Sequence, residues 1–135
     1  MSACIVGWSH TPFARHEGVD IEALIDKVVG AALADAGVAA ADIDEVYVGH
    51  FNAGFSKQDF PSSLVFQGEP NLRFKPTTRV ENACATGSAA IHVGLKSIAA
   101  KRSRTAWLFT PKNRAPRSKI GSRNTDSRAP CARKV

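Results

Sequence analysis

The chain offers three cysteines and four histidines for chemistry, and their spacing separates them quickly. Cys4, Cys84 and Cys131 are odd in number and far apart. They make neither a disulfide framework nor a metal-ligand set, and they fit a reducing, cytoplasmic setting. Cys84 differs from the others in its position. In "VENACATGSAAIHVGL", residues 80–95, it stands between a β-rich run and a helix of Ala, Gly and Ser. The helix is expected over residues 84–100. A thiol at its start would meet unpaired backbone N–H groups and the positive end of the helix dipole, both of which favour thiolate. The same N–H groups suit an oxyanion formed by attack on a thioester carbonyl. Strand-to-helix turns that present a nucleophile recur in acyl transfer. A cysteine in a tightly packed Ala/Gly helix also reads as a small buried hydrophobe, and spacing alone leaves both readings open.

The histidines do not supply an obvious partner. His92 follows Cys84 by eight residues on the same expected helix, about 12 Å of rise and too far for direct hydrogen bonding. His10 and His50 fall at expected strand ends, where surface or loop roles are the default, and His16 lies in a loop. Cys4 sits in the first apolar run and is expected to pack in the core.

Positioning Cys84 requires a scaffold, and the pattern supplies one. "ACIVGW" (3–8) reads as a buried strand, followed by a loop containing Pro12 and Gly18. Ile21, Leu24, Ile25, Val28, Val29, Ala32, Leu33 and Ala36 share one helical face; Asp20 is placed to cap it and Gly37 to end it. "EVYVGHF" (45–51) reads as a second strand, "NAGFSKQDFPSS" (52–63) as a polar loop with weak helical character after Pro61, and "TTRVEN" (77–82) as a third strand. "RTAWLF" (104–109) is a possible fourth. Alternating strands and helices give an α/β class. Small residues after Cys84 let the last helix approach other backbones closely, so it is expected at the centre of the fold.

Charge divides the chain. Residues 1–100 carry seven Lys/Arg and eleven Asp/Glu, net −4; residues 101–135 carry eleven Lys/Arg and one acid, net +10. The basic segment is rich in Pro, Arg and Ser and lacks periodicity, so it is expected not to order. The expected division is 1–106 as the folded unit and 107–135 as a basic tail. The tail has no nucleic-acid motif and little aromatic interleaving, so nucleic acid is not the expected partner; a basic-tailed binding module is kept as the non-enzymatic alternative. No apolar run approaches the roughly 18 residues of a membrane span, and the N-terminus lacks a signal-peptide start.

"RVENACATGSAAIHVGLKSIAA" resembles the nucleophile segment of the thiolase superfamily, with its Cys-x-Ser/Thr-Gly-Ser-Ala. "HTPFA" (10–14) is similar to the Arg-Thr-Pro-Phe-Gly after the family's first strand, and "ALADAGVAAADIDEVYVGHFNAGFSKQ" (32–58) to the segment that follows. The resemblance spans about residues 3–105. The "CATGS" form looks closer to the sterol-carrier-protein type of thiolase than to the main degradative type, which carries Ser where Thr86 keeps a hydroxyl; the resemblance as a whole implies a parent of the sterol-carrier-type or acetyl-CoA acetyltransferase group. The resemblance implies the N-terminal half of a thiolase-like fold, a mixed sheet with a buried nucleophile helix. It implies acyl-CoA acyltransferase chemistry through an acyl-cysteine on Cys84, with coenzyme A thioesters as substrates and neither cofactor nor metal. No residue is assigned to hold coenzyme A. It also implies a homodimer or homotetramer in a full-length protein, paired through the strand before the nucleophile. A ketoacyl-synthase-like condensing enzyme is the runner-up within the class.

The family's base stands in a Gly-His-Pro loop and its second cysteine in a Cys-x-Gly loop. Neither pattern occurs here: no histidine precedes Pro, and Cys131 precedes Ala-Arg. The resemblance fades where "WLFTPKNRAPRSK" begins, so a shift of reading frame near residues 102–110 is expected, and turnover by this polypeptide alone is not.

Overall fold

The computed structural model describes residues 3–14, 16–52 and 57–110. The expected tail beyond 110 lies outside the described residues, and so does Cys131. Helix α1 (Ile21–Ala36) forms as its periodicity predicts. The Asp20 carboxylate accepts the Ala23 N–H at 2.8 Å, satisfying one orphan donor of the first turn. Gly37, at φ 63°, ends the helix in the left-handed conformation that glycine adopts without steric cost.

Three strands follow: β1 (Glu45–Gly49), β2 (Thr77–Val80) and β3 (Ala106–Phe109). They make one sheet in the order β2-β1-β3, with both pairings parallel. Val46 faces Thr77 and Trp107, and Val48 faces Arg79 and Phe109. β1 is buried along its whole length, as a central parallel strand must be. The expected break between residues 106 and 107 therefore falls inside β3, whose Phe109 is part of the core.

The two sheet faces differ. Val46 and Val48, both 0% exposed, join Ile21, Ile25, Val28 and Val29 of α1 and Leu64, Val65 and Leu72 of the 61–72 connection in the hydrophobic core. That connection contains the short helix α2 (Val65–Gly68) flanked by 3₁₀ turns at Pro61–Ser63 and Pro70–Leu72. On the opposite face lies α3 (Thr86–Ala99), which buries a stripe of small residues, Thr86, Ala90, Gly94 and Ser97. A Cβ on Gly94 would sit 2.9 Å from Leu108 Cδ2, so this glycine sets how closely α3 approaches the sheet. The result is a three-layer α/β/α sandwich, with β1 in its middle.

Three expectations change. Residues 3–8 do not form a strand: Ile5 and Trp8 are 77% and 67% exposed, and Cys4 is exposed with them. None of the described strands pairs with the segment. It lies instead along the end of α1, where the Trp8 N–H donates to Asp35 Oδ2 and Gly7 abuts the Ala36 backbone. An apolar run becomes a strand only when a sheet edge receives it. Second, α3 starts at Thr86, two residues after the expected position. Third, α3 is covered on one side only, leaving Ile91 and Leu95 each 41% exposed.

Candidate active site

Cys84 lies in a 3₁₀ turn, Ala83–Ala85, between the end of β2 and the start of α3. Its side chain is exposed and free. This corrects the reading of a cysteine packed in a helix: the chain turns sharply just before it and holds it outside the helix proper. The turn is strained. Ala83 has φ 42°, the left-handed region that a residue with a Cβ rarely enters. Such a conformation costs about 1–3 kcal/mol and persists only where the surroundings over-determine it.

The surroundings do so through one side chain. Thr86 Oγ1 accepts the Asn82 N–H at 2.9 Å and donates to the Ala83 carbonyl at 2.8 Å. The Ala85 N–H closes the turn onto the Asn82 carbonyl at 2.8 Å. Each net hydrogen bond is worth about 0.5–1.5 kcal/mol, so together they are of the size needed to offset the strain. The Thr86 methyl group faces Gly49 at the end of β1, where any Cβ would lie 3.1 Å from it. Sequence reasoning noticed the Thr86 hydroxyl but not this role. The only signal was an Asn and a Thr four residues apart on either side of Cys84.

Upstream, Arg79 ties three segments together. Its Nη2 pairs with Glu81 at 2.7 Å, its Nη1 donates to the Asp59 carbonyl at 3.2 Å, and its Nε donates to the His50 carbonyl at 3.3 Å. His50 also donates its N–H to the Val80 carbonyl at 3.0 Å. The end of β1 is thereby fastened to β2 immediately before the cysteine turn, at the carboxyl edge of the sheet where ligands of open α/β folds bind.

His50 was expected near the surface and is instead buried, at 6% exposure, with Nδ1 lacking a hydrogen-bond partner among the described residues. Burial, reinforced by the Arg79 guanidinium, holds its imidazole below the ordinary histidine value. Its charged neighbours are Arg79, Asp59 and Glu81. His10 stacks between Trp8 and Phe13 and bonds the Thr11 carbonyl, His16 bonds the Pro12 carbonyl, and His92 is exposed on α3. Among the described residues no histidine hydrogen-bonds Cys84. The geometry therefore offers an exposed thiol on a braced turn, without a hydrogen bond to a histidine among the described residues.

Residues 3–108 match the family model for the thiolase N-terminal domain. The chain belongs to the thiolase family, through its N-terminal domain. It is 40% identical over 96 residues to an acetyl-CoA acetyltransferase of Methanothermobacter thermautotrophicus, covering 70% of this chain and 25% of that one. An acetyl-CoA acetyltransferase of Methanocaldococcus jannaschii is 36% identical over 100 residues, covering 73% and 25%. The chain thus spans about a quarter of the length of these curated relatives. No helix of the described residues is long and apolar enough to cross a membrane.

Proposed function

We propose that this chain carries the acyl-accepting element of a thiolase-type acyl-CoA acyltransferase, with Cys84 as the nucleophile. The observation that carries the reading is the exposed Cys84 on its braced, strained turn ahead of α3. The chemistry follows from covalent catalysis. The Cys84 sulfur, as thiolate, attacks the thioester carbonyl of an acyl-CoA. The carbon–sulfur bond to coenzyme A breaks, and coenzyme A departs as a thiol with the proton that Cys84 gave up. Beyond Thr86, whose N–H already donates to the Ala83 carbonyl, the backbone N–H groups of the first turn of α3 are the candidate donors for the transient oxyanion.

The relatives' name, acetyl-CoA acetyltransferase, makes the acetyl thioester the first substrate to test. Condensation or thiolysis needs a base and an acid beyond Cys84. None of the described histidines hydrogen-bonds the thiol, and the sequence contains neither a Gly-His-Pro nor a Cys-x-Gly loop. The half-reaction and the full cycle are therefore separable in this polypeptide. Incubated with acetyl-CoA and digested, the chain should give an acetylated peptide containing Cys84, absent in Cys84→Ala, while steady-state thiolysis of acetoacetyl-CoA stays at the blank rate. No acetyl group on that peptide would overturn the nucleophile assignment.

A further inference from the structure

We infer that Thr86 is a positioning residue for Cys84: its hydroxyl braces the left-handed turn at Ala83, and Gly49, lacking a Cβ, leaves the room its methyl group needs when the hydroxyl points there. The inference rests on the reading of Cys84 as nucleophile and adds the device that presents it.

Three observations converge on this side chain. Thr86 is buried although polar, at 4% exposure. Its oxygen makes two bonds of opposite sense within one turn, accepting from the Asn82 N–H and donating to the Ala83 carbonyl. These two groups flank the strained Ala83 φ and bracket the residue immediately before Cys84. A hydroxyl can accept and donate at once, which a methyl or a thiol of similar size cannot do as well. Finally, the Thr86 methyl group lies where a Cβ on Gly49 would come within 3.1 Å of it, so the glycine leaves room for the rotamer that aims the oxygen at the turn. The residue next to Gly49, His50, is itself fastened to β2 by its N–H and carbonyl, so this wall does not yield easily.

Removing the oxygen while keeping the shape leaves the Asn82 N–H without its acceptor and the Ala83 carbonyl with the Thr86 backbone N–H alone. Ala83 then relaxes toward negative φ, and Cys84 turns out of its presented position. The effect is confined to the turn, because the Cβ branch of valine still fills the space beside Gly49.

The test uses the full 135-residue chain as wild type, Thr86→Ser and Thr86→Val, with Cys4 as an internal reference. Cys4 is exposed and lies on a different part of the fold. The ratio of Cys84 to Cys4 alkylation by iodoacetamide is read by peptide mass mapping, and Cys84 acetylation by acetyl-CoA is read in parallel. In Thr86→Val both the ratio and the acetylation rate should fall at least five-fold, with Cys4 labelling unchanged. Thr86→Ser should stay within about two-fold of wild type. A Thr86→Val protein that labels and acetylates like wild type overturns the inference. So does a Thr86→Ser protein that falls as far as Thr86→Val, since the methyl group would then be the active feature. If wild-type Cys84 accepts no acetyl group, the nucleophile reading fails by itself. The brace is then judged by the alkylation ratio: a five-fold fall in Thr86→Val supports it and an unchanged ratio refutes it.

Discussion

Replacing Glu45 by glutamine should cost this fold stability at neutral pH and almost none in acid. Glu45 opens β1 and is 9% exposed, a charge set between the sheet and α3. One carboxylate oxygen accepts from the Tyr47 hydroxyl and from Ser97 Oγ at 2.5 Å, and Ser103 Oγ lies 3.0 Å from Ser97 Oγ. The Ser97 and Tyr47 hydrogen bonds hold the carboxyl below its ordinary value of 4.5; burial opposes them, and Ser103 and Arg102 assist. A carboxyl whose folded value is depressed stabilises the fold fully above its unfolded value. That contribution is lost as pH falls through the folded value. Glutamine retains the shape and one acceptor oxygen but exchanges two charge-assisted bonds for neutral ones, which are about half as strong. It also escapes the cost of burying a charge, so the net loss is about 1 kcal/mol at pH 7. Urea unfolding followed by circular dichroism, at pH 7 and at the acid end of the folded range, measures the gap directly. Wild type and Glu45→Gln should converge in acid. Asp44, held low mainly by the backbone N–H groups of Arg104 and Thr105, keeps its own pH slope in both proteins. A gap equal at both pH values, or absent at pH 7, would refute the argument that the charge itself anchors α3 to β1.

Two further substitutions probe the scaffold. Asp20→Ala removes the acceptor for the Ala23 N–H and should destabilise the chain by about 1 kcal/mol in urea melts, whereas Asp20→Ser should be nearly neutral. Gly49→Ala forces a Cβ to 2.8 Å from Thr110 Oγ1 and 3.3 Å from the Thr86 carbonyl. It should cost about 1–3 kcal/mol by overpacking and slow Cys84 alkylation relative to Cys4, both read on one preparation.

The elements legible in the sequence are those whose signal is local. α1 announces itself by its apolar face, its Asp20 cap and its Gly37 stop, all within eighteen residues. β1 and α3 were placed within two residues because a short β-branched run and an Ala/Gly helix have few alternatives. Residues 3–8 misled because apolarity predicts burial only where a partner exists, and the described sheet pairs β1 with β2 and β3 instead. The burial of His50 was not legible, since a histidine at a strand end is ordinarily wet; Arg79, twenty-nine residues away in sequence, binds its carbonyl. The Glu45 network was equally hidden, because Ser97 lies fifty-two residues away and no periodicity links the two. At the site, the cysteine was legible from its neighbours, but the brace was not. A threonine two residues after a cysteine looks like an ordinary first-turn residue until the left-handed Ala83 shows what its hydroxyl must hold.

These differences divide the proposed chemistry along the chain. Presenting a thiol is a local task. It needs a strand, a strained residue, a hydroxyl to hold it and a glycine that leaves room for that side chain, and residues 49 and 80–86 supply all of them. Moving protons to and from a carbanion is not local. It needs groups that converge on the thiol from other elements, and no described histidine reaches Cys84. The exposed side of α3 fits the same division: its buried stripe of Thr86, Ala90, Gly94 and Ser97 is spent on the sheet, while Ile91 and Leu95 face outward uncovered. Acylation of Cys84 and turnover should therefore respond differently to what surrounds the chain. The first depends on a turn that residues 80–86 already build, and the second on acid and base groups that none of the described histidines supplies.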